Sequence, residues 1–220
     1  MLTIGHRGAR GIAPENTIKS IYKAIEHHAD EVEIDLRITK DHIPILFHDE
    51  SLKIGGKSLK ITDSTLEQLA ELKPDIVTLE TAMKTLKGST KLCMDIKATQ
   101  ELEAIVGILK KQLKEGWSFD GFSITSLSYK TLNFFKQNLP GAHIVVSELW
   151  SGVRAVHRCK RLQTDRINFM NQWLWSGFTK PLANKGYKIY AFTINSKSRA
   201  KKMAKYKVAG IITDYPDLFE

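Results

Sequence analysis

Short apolar runs alternate along the chain with longer stretches in which apolar residues recur every three or four positions. This alternation predicts strands joined by helical crossovers, as in a parallel sheet. Strands are expected at 2–5, 32–36, 45–47, 91–96, 121–124, 143–147, 167–170, 188–194 and 210–213. Helices are expected at 15–28, 65–72, 79–86, 100–114, 128–138, 179–185 and 197–206, with a short one near 153–159.

One connection decides how these strands are arranged. Between Arg37, which follows the second expected strand, and Ile45 lie only residues 38–44, whereas a parallel crossover needs about a dozen residues or more. The third strand must therefore return antiparallel, as a hairpin arm that brings His48 back towards the end of the second strand. The remaining strands predict an α/β fold, a TIM (βα)8 barrel with a β-hairpin insertion after the second strand. Periodicity alone leaves an open doubly wound sheet as the alternative.

Composition adds little chemistry but bounds the class of protein. With 220 residues, 42% of them hydrophobic, the chain fits one domain spanning 1–220 with a core of its own. No signal-like start or membrane-length apolar run is evident, and the two cysteines suit a reducing compartment, so we expect a cytoplasmic protein. The net charge of +9 favours anionic partners without choosing among them.

Acidic residues lie at alternate positions within two expected strands. Glu33 and Asp35 share one face of the second strand, and Asp95 shares a face with Lys97 on a later one. Carboxylates gathered at one barrel rim would repel each other without a cation, and oxygen ligands suit Mg²⁺ or Ca²⁺. Taken alone, Glu33 and Asp35 would fit an edge strand exposed to water equally well.

Two histidines are expected at the same rim, delivered by different elements. His6 follows the first strand, and His48 ends the hairpin arm. Because imidazole titrates near neutrality, such a pair can supply one base and one acid. Arg7, beside His6, offers a fork of donors that suits a phosphate.

Motifs spread along the chain resemble those of the glycerophosphodiester phosphodiesterase family. They occur in the order and spacing of the family signature, most densely in the first 50 residues, and together they span the chain. The motifs are HRG at 6–8, PENT at 14–17, EIDLRITKD at 33–41, Pro44, HD at 48–49, MDIK at 94–97, FTIN at 192–195 and GIITDYPD at 210–217.

The resemblance implies a TIM barrel that hydrolyses a glycerophosphodiester to glycerol 3-phosphate and an alcohol with one divalent cation, Mg²⁺ or Ca²⁺. It also implies roles for individual positions. Glu33, Asp35 and Asp95 would bind the metal, His6 and His48 would be the acid–base pair, Arg7 would contact phosphate, Lys97 would contact phosphate or the glycerol side, Phe192 would line the alcohol pocket, and Glu15 would orient active-site groups.

The chain departs from the family pattern in three places. The family usually has Glu where Asp95 stands and Trp where Phe192 stands, and 50–57 lacks the usual Asp-Arg-Thr pattern. The shorter Asp95 bears on metal affinity, whereas the other two changes bear on the range of alcohols accepted.

Two competing functions follow from other features. Aromatic residues at Trp173, Trp175 and Phe178, together with abundant lysine and arginine, suit hydrolysis of lysophospholipids at a membrane surface. We instead expect these aromatics to cover a loop or line the pocket. A catalytically silent barrel that binds phosphate or nucleic acid is the second competitor, but it would not need both histidines and three carboxylates. We expect a small-molecule substrate and no nucleic-acid partner.

Overall fold

The computed structural model describes residues 1–220 as eleven strands and eight α-helices. The strands are β1 (Leu2–Gly5), β2 (Glu31–Ile38), β3 (Pro44–Leu46), β4 (Ser51–Ile54), β5 (Lys57–Lys60), β6 (Lys91–Ile96), β7 (Phe122–Ser126), β8 (His143–Glu148), β9 (Arg166–Met170), β10 (Lys188–Phe192) and β11 (Gly210–Thr213). The helices are α1 (Ile18–Glu26), α2 (Leu66–Leu72), α3 (Leu79–Leu86), α4 (Leu102–Lys114), α5 (Tyr129–Asn138), α6 (Gly152–Leu162), α7 (Ser176–Asn184) and α8 (Lys197–Lys205).

Eight of the strands form a closed parallel barrel. Around the barrel the order is β1, β11, β10, β9, β8, β7, β6 and β2, and β2 pairs back onto β1. Every neighbouring pair in this ring is parallel. The predicted barrel is therefore confirmed, and the open doubly wound sheet is excluded.

The segment after β2 contains the predicted hairpin and a second one. β3 runs antiparallel to β2, with Leu36 opposite Leu46, as the short connection requires. β4 and β5 then form a separate antiparallel pair around Gly55 and Gly56. Both glycines have positive φ, and such a pair is a strong hairpin turn signal. The second hairpin was not predicted because its two strands have only four residues each and are largely exposed.

The first helix begins later than the sequence pattern predicts. α1 starts at Ile18, where the Thr17 hydroxyl accepts the Ser20 N–H and the Ser20 hydroxyl accepts the Thr17 N–H. This reciprocal cap satisfies two of the free N–H groups at the helix start. The preceding residues, from Pro14 to Asn16, form a turn, and Asn16 has a φ of 55°. The expectation that Glu15 lies in the helix is wrong.

Side-chain alternation in β2 separates the core from the site. Val32, Ile34 and Leu36 are fully buried in the large apolar cluster that includes the surrounding helices. Glu33 and Asp35 lie between them and point to the opposite side, into the barrel. The apolar half of the strand thus holds the acidic half in place. No helix in the chain combines the length and apolar character needed to cross a membrane.

Candidate active site

A cavity of about 290 Å³ opens at the ends of the barrel strands. Eight of the nine residues expected at the site line it: His6, Arg7, Glu33, Asp35, His48, Asp95, Lys97 and Phe192. The ninth, Glu15, does not line the cavity but contacts the guanidinium of Arg7. Residues scattered over most of the chain length therefore meet at one place.

Three carboxylates lie together on the wall of this cavity. One oxygen each from Glu33, Asp35 and Asp95 lie within 4.8 Å of one another, although Glu33 and Asp35 are only 4% and 1% exposed. Burial and the charges of the two aspartates raise the pKa of Glu33 well above its ordinary value. Burial also raises the pKa of Asp95. The positive groups nearby therefore do not fully compensate the three carboxylates. A bound cation would favour their ionised forms.

The donor set fits a hard divalent metal ion. All the candidate ligand atoms are carboxylate oxygens, which Mg²⁺ and Ca²⁺ prefer. β2 and β6 pair in a register that sets Asp35 directly beside Asp95. Because the two backbones are adjacent at this point, the short Asp95 side chain still reaches the cluster where a longer glutamate is usual.

Two cationic side chains already contact the trio. Lys97 Nζ lies 2.7 Å from Asp95 Oδ2 and 3.3 Å from Asp35 Oδ1, and Arg7 Nε lies 3.0 Å from Asp35 Oδ2. Burial would raise the pKa of Asp35, but Lys97 and Arg7 outweigh it and hold this pKa below its ordinary value. Asp35 is thus held ionised, while Glu33 is the least compensated carboxylate.

The turn after β1 positions Arg7 against the acidic trio. Arg7 has a φ of 50°, its backbone N–H donates to Glu33 Oε2 at 2.8 Å, and Nη1 donates to both oxygens of Glu15. Gly8 follows with a φ of 83°, and a Cβ there would lie 2.3 Å from the Ser20 hydroxyl. Only glycine therefore allows the turn to pass this close to α1.

Asn16 is a site residue to which sequence analysis assigned no role. Its side-chain amide donates to Asp35 Oδ2 at 3.0 Å, and its carbonyl oxygen accepts the Asp35 backbone N–H at 3.1 Å. Asn16 is 4% exposed, and its left-handed backbone aims it at β2. The PENT motif was the available signal, but it resembled an ordinary helix start.

His6 is oriented by a carboxylate from the far end of the chain. Its Nδ1 lies 2.6 Å from Asp214 Oδ1, and its Nε2 lies 4.0 Å from Glu33 Oε2. Asp214 is held in turn by Asn195, whose amide donates to Oδ2 at 2.7 Å and whose carbonyl accepts the Asp214 N–H. Burial would raise the pKa of Asp214, but the hydrogen bonds from His6 and Asn195 lower it. Asp214 and Asn195 lie in two of the quoted motifs, but their contact with His6 is not visible in the sequence.

His48 lines the same cavity in a more open setting. Its Nδ1 lies 2.7 Å from Asp49 Oδ1, and the Arg37 guanidinium donates to its backbone carbonyl at 2.7 Å. Its side chain is 35% exposed, against 16% for His6. Each histidine therefore engages a carboxylate through Nδ1 and leaves Nε2 without a hydrogen-bond partner in the protein.

The rest of the cavity lining has a polar part and an apolar part. Thr125, Ser147 and Asn168 form a buried hydrogen-bonded group, with the two hydroxyl oxygens 2.6 Å apart. Leu127, Leu149, Phe192 and Ile212 supply the apolar part of the lining. The charged wall can thus bind an ionic group while the opposite wall contacts a less polar one.

A barrel with clustered carboxylates, two oriented imidazoles and two cations at one mouth has the groups that metal-assisted hydrolysis of a phosphate ester uses. Residues 6–218 match the model of the glycerophosphoryl diester phosphodiesterase family. The chain belongs to this family and is a phosphoric diester hydrolase.

Several relatives match over nearly their whole length. YhdW of Bacillus subtilis is 29% identical, over 99% of this chain and 96% of the relative. The Oleispira antarctica phosphodiesterase solved with its product sn-glycerol-3-phosphate is 26% identical, with a TM-score of 0.89 over 99% of this chain and 94% of that one. The Thermotoga maritima glycerophosphodiester phosphodiesterase is 25% identical, with a TM-score of 0.83 over 100% and 96%.

One further buried carboxylate shapes the loop beside the cavity. Glu148, at the end of β8, accepts the backbone N–H groups of Leu149, Trp150 and Ser151 and pairs with the Arg154 guanidinium at 2.6 and 2.7 Å. Burial opposes ionisation, but these donors lower the pKa of Glu148 to about 2. Glu148 was not predicted from the sequence, because three of its donors are backbone N–H groups that no residue pattern marks.

We expect Glu148→Gln to destabilise the protein at neutral pH and to flatten its acid unfolding profile. A carboxylate whose pKa is about 2 when folded and 4.5 ordinarily stabilises the fold above about pH 4.5 and loses that effect as pH falls towards 2. Losing a charged hydrogen bond of this kind costs roughly 2 kcal/mol, or roughly 4–8 °C in Tm. Thermal unfolding between neutral and acidic pH measures both effects.

Glu71→Gln is the matched control, because Glu71 is exposed and has no ion-pair partner. Its Tm should follow that of the wild type at every pH. If Glu148→Gln also follows the wild-type profile, the stabilising role of this carboxylate is wrong.

Proposed function

We propose that this protein hydrolyses glycerophosphodiesters to glycerol 3-phosphate and an alcohol, using one divalent cation, Mg²⁺ or Ca²⁺. The observation that carries the proposal is the convergence of three carboxylates and two carboxylate-bound histidines on one cavity. The solved Oleispira antarctica relative, which holds sn-glycerol-3-phosphate, supports the same product class.

The charged wall is assigned to the phosphate. Glu33, Asp35 and Asp95 would hold the cation, which when bound offsets charge on the phosphoryl oxygens and polarises phosphorus. Arg7 and Lys97 lie beside these carboxylates and would bind the anionic diester. The cation, Arg7 and Lys97 together would offset the repulsion between an anionic substrate and an incoming nucleophile.

The remaining assigned residues position the reacting groups. Glu15 receives two hydrogen bonds from Arg7 and would keep its guanidinium turned towards the phosphate. Phe192 lies in the apolar lining and would contact the alcohol part of the substrate. A phenyl ring leaves more room there than the indole that is usual in the family.

The histidine pair would move the protons in two steps. In the first, His6 Nε2 takes the proton of the glycerol 2-hydroxyl as that oxygen bonds to phosphorus, and His48 protonates the departing alcohol as its P–O bond breaks. In the second, His48 takes a proton from water as water bonds to phosphorus, and His6 returns its proton to the 2-oxygen as the cyclic ester opens. The Nδ1 contact of His6 with Asp214 supports this role, because it leaves Nε2 free to accept a proton.

We expect the protein to release glycerol 3-phosphate from glycerophosphocholine in a metal-dependent way. Chelation with EDTA should reduce turnover at least ~100-fold, and added Mg²⁺ or Ca²⁺ should restore it, because the uncompensated carboxylates otherwise oppose an anionic substrate. Enzymatic detection of glycerol 3-phosphate measures the reaction, and a panel of glycerophosphodiesters identifies the preferred alcohol.

A phosphocholine diester without the 2-hydroxyl group is the matched control substrate. Turnover of this analogue at the rate of glycerophosphocholine would exclude the cyclic route while leaving diester hydrolysis intact. Absence of glycerol 3-phosphate under every metal condition would contradict the proposed function itself.

Replacing either histidine should lower kcat without unfolding the protein. His6→Ala and His48→Ala should each lose ~100-fold or more in kcat, the usual contribution of an acid or base group. His143→Ala is the control, since His143 pairs with Asp120 and does not line the candidate active site. A histidine variant with a wild-type kcat would contradict the assignment of that residue.

A second substrate class is favoured by one observation. Leu127 and Leu149 extend the apolar lining of the cavity towards its mouth, where the acyl chain of a lysophospholipid could lie. Lysophospholipids carry the same phosphodiester, so the same charged wall would act on them. No comparable observation favours a catalytically silent barrel.

A further inference from the structure

The four tryptophans of this chain are divided between the core and one exposed surface. Trp117 is buried, whereas Trp150, Trp173 and Trp175 are 62%, 53% and 62% exposed. The exposed three follow β8 and β9 and therefore lie at the end of the barrel that carries the candidate active site. Exposed indoles are uncommon, and a cluster of them marks an interaction surface.

These tryptophans belong to a set of exposed apolar side chains in the segments that follow β7, β8 and β9, which we call the aromatic rim. The rings of Trp150 and Trp173 meet edge to face, with centroids 6.5 Å apart. The aromatic rim consists of Leu127, Trp150, Val153, Trp173 and Trp175, each at least 46% exposed. Leu127 also lines the cavity, so the rim is continuous with the candidate active site. Phe178, grouped with these tryptophans in the sequence, instead packs on Phe169 at 5.3 Å.

The rim is held in place by the structure beneath it. Glu148 fixes the backbone of Trp150 through its buried carboxylate, and Arg158 Nη1 donates to the Leu127 carbonyl at 3.0 Å. The Trp175 ring lies so close to Gly177 that a Cβ there would overlap it. A surface that is already ordered before binding loses little conformational entropy on docking.

The chain segment that carries the exposed tryptophans is also strongly basic. Residues 149–206 contain 13 lysines and arginines and a single acidic residue, Asp165. The net charge of the whole chain is +9, so the remainder of the chain is slightly acidic. Two of these cations lie at the rim itself, because Arg158 donates to the Leu127 carbonyl and Arg199 donates to Asn171, two residues before Trp173.

We propose that the aromatic rim docks the mouth of the cavity on a lipid bilayer that contains anionic lipids. Indole rings favour the headgroup region of a bilayer, and nearby lysines and arginines are attracted to its negative surface. Self-association through the rim is disfavoured, because it would bring the positive charges of two copies of this chain together. Val153 and Leu127 have no role in stacking on nucleic-acid bases, but they can insert among acyl chains.

The test is co-sedimentation of the full chain with vesicles. Wild-type protein should bind vesicles of phosphatidylcholine mixed with phosphatidylglycerol, bind pure phosphatidylcholine less, and release at high salt. The triple variant Trp150→Ser, Trp173→Ser, Trp175→Ser should bind at least ~10-fold more weakly. The double variant Tyr22→Ser, Ile54→Ser removes exposed apolar side chains elsewhere and should bind as the wild type does.

Two further measurements keep the proposal separate from the proposed function. Circular dichroism checks that each variant is folded, and hydrolysis of water-soluble glycerophosphocholine should be unchanged in the triple variant. Vesicle binding is read without any turnover, so inactivity of the wild type would contradict the proposed function and leave this result standing.

Three outcomes would overturn the docking proposal. They are wild-type protein that stays in the supernatant with anionic vesicles, triple-variant binding equal to the wild type, and a rim that instead mediates self-association. The last would appear as a wild-type dimer in sedimentation velocity that the triple variant abolishes, without vesicle binding.

Discussion

Mutual repulsion among three clustered carboxylates, two of them buried, is the constraint on which the rest of this structure depends. Glu33, Asp35 and Asp95 place oxygens within 4.8 Å of one another, in surroundings that penalise charge. Placing several like charges so close together destabilises a fold unless positive groups compensate them. The neighbouring side chains are arranged around that need.

The groups that compensate these carboxylates come from separate parts of the chain. The same groups also line or support the candidate active site. Lys97 and Arg7 neutralise Asp35, and Asn16 donates to it, so the aspartate nearest the cations is the one held ionised. Glu33 retains a raised pKa and receives only the Arg7 backbone N–H among the donors around it. Asp35 is therefore compensated by positive groups, whereas Glu33 is not. This difference suits a site in which a bound cation would compensate Glu33. The same cations lie where an anionic diester would bind.

The barrel and most of the site residues could be predicted from the sequence because their signals are local. Strand alternation put Glu33 and Asp35 on one face, and the connection after β2 was too short for a crossover. The contacts that hold the site together depend on distant pairs that no periodicity records. His6 meets Asp214 across 208 positions, and Asn16 meets Asp35 through a left-handed turn that resembled a helix start. Trp173 and Trp175 were singled out from the sequence and expected to cover a loop or line the pocket, but both are exposed and neither lines the cavity. Trp150 was not singled out, because its contact with Trp173 joins two loops that are distant in the sequence.

Calorimetric titration of the protein with Mg²⁺ and Ca²⁺ tests the central claim most directly, because it reports metal binding without substrate. We expect one site per chain for at least one of these ions, with binding lost in Asp95→Asn and retained in Asp217→Asn, whose side chain is exposed away from the cavity. Failure of the wild type to bind either ion, or equal binding by Asp95→Asn, would contradict the account.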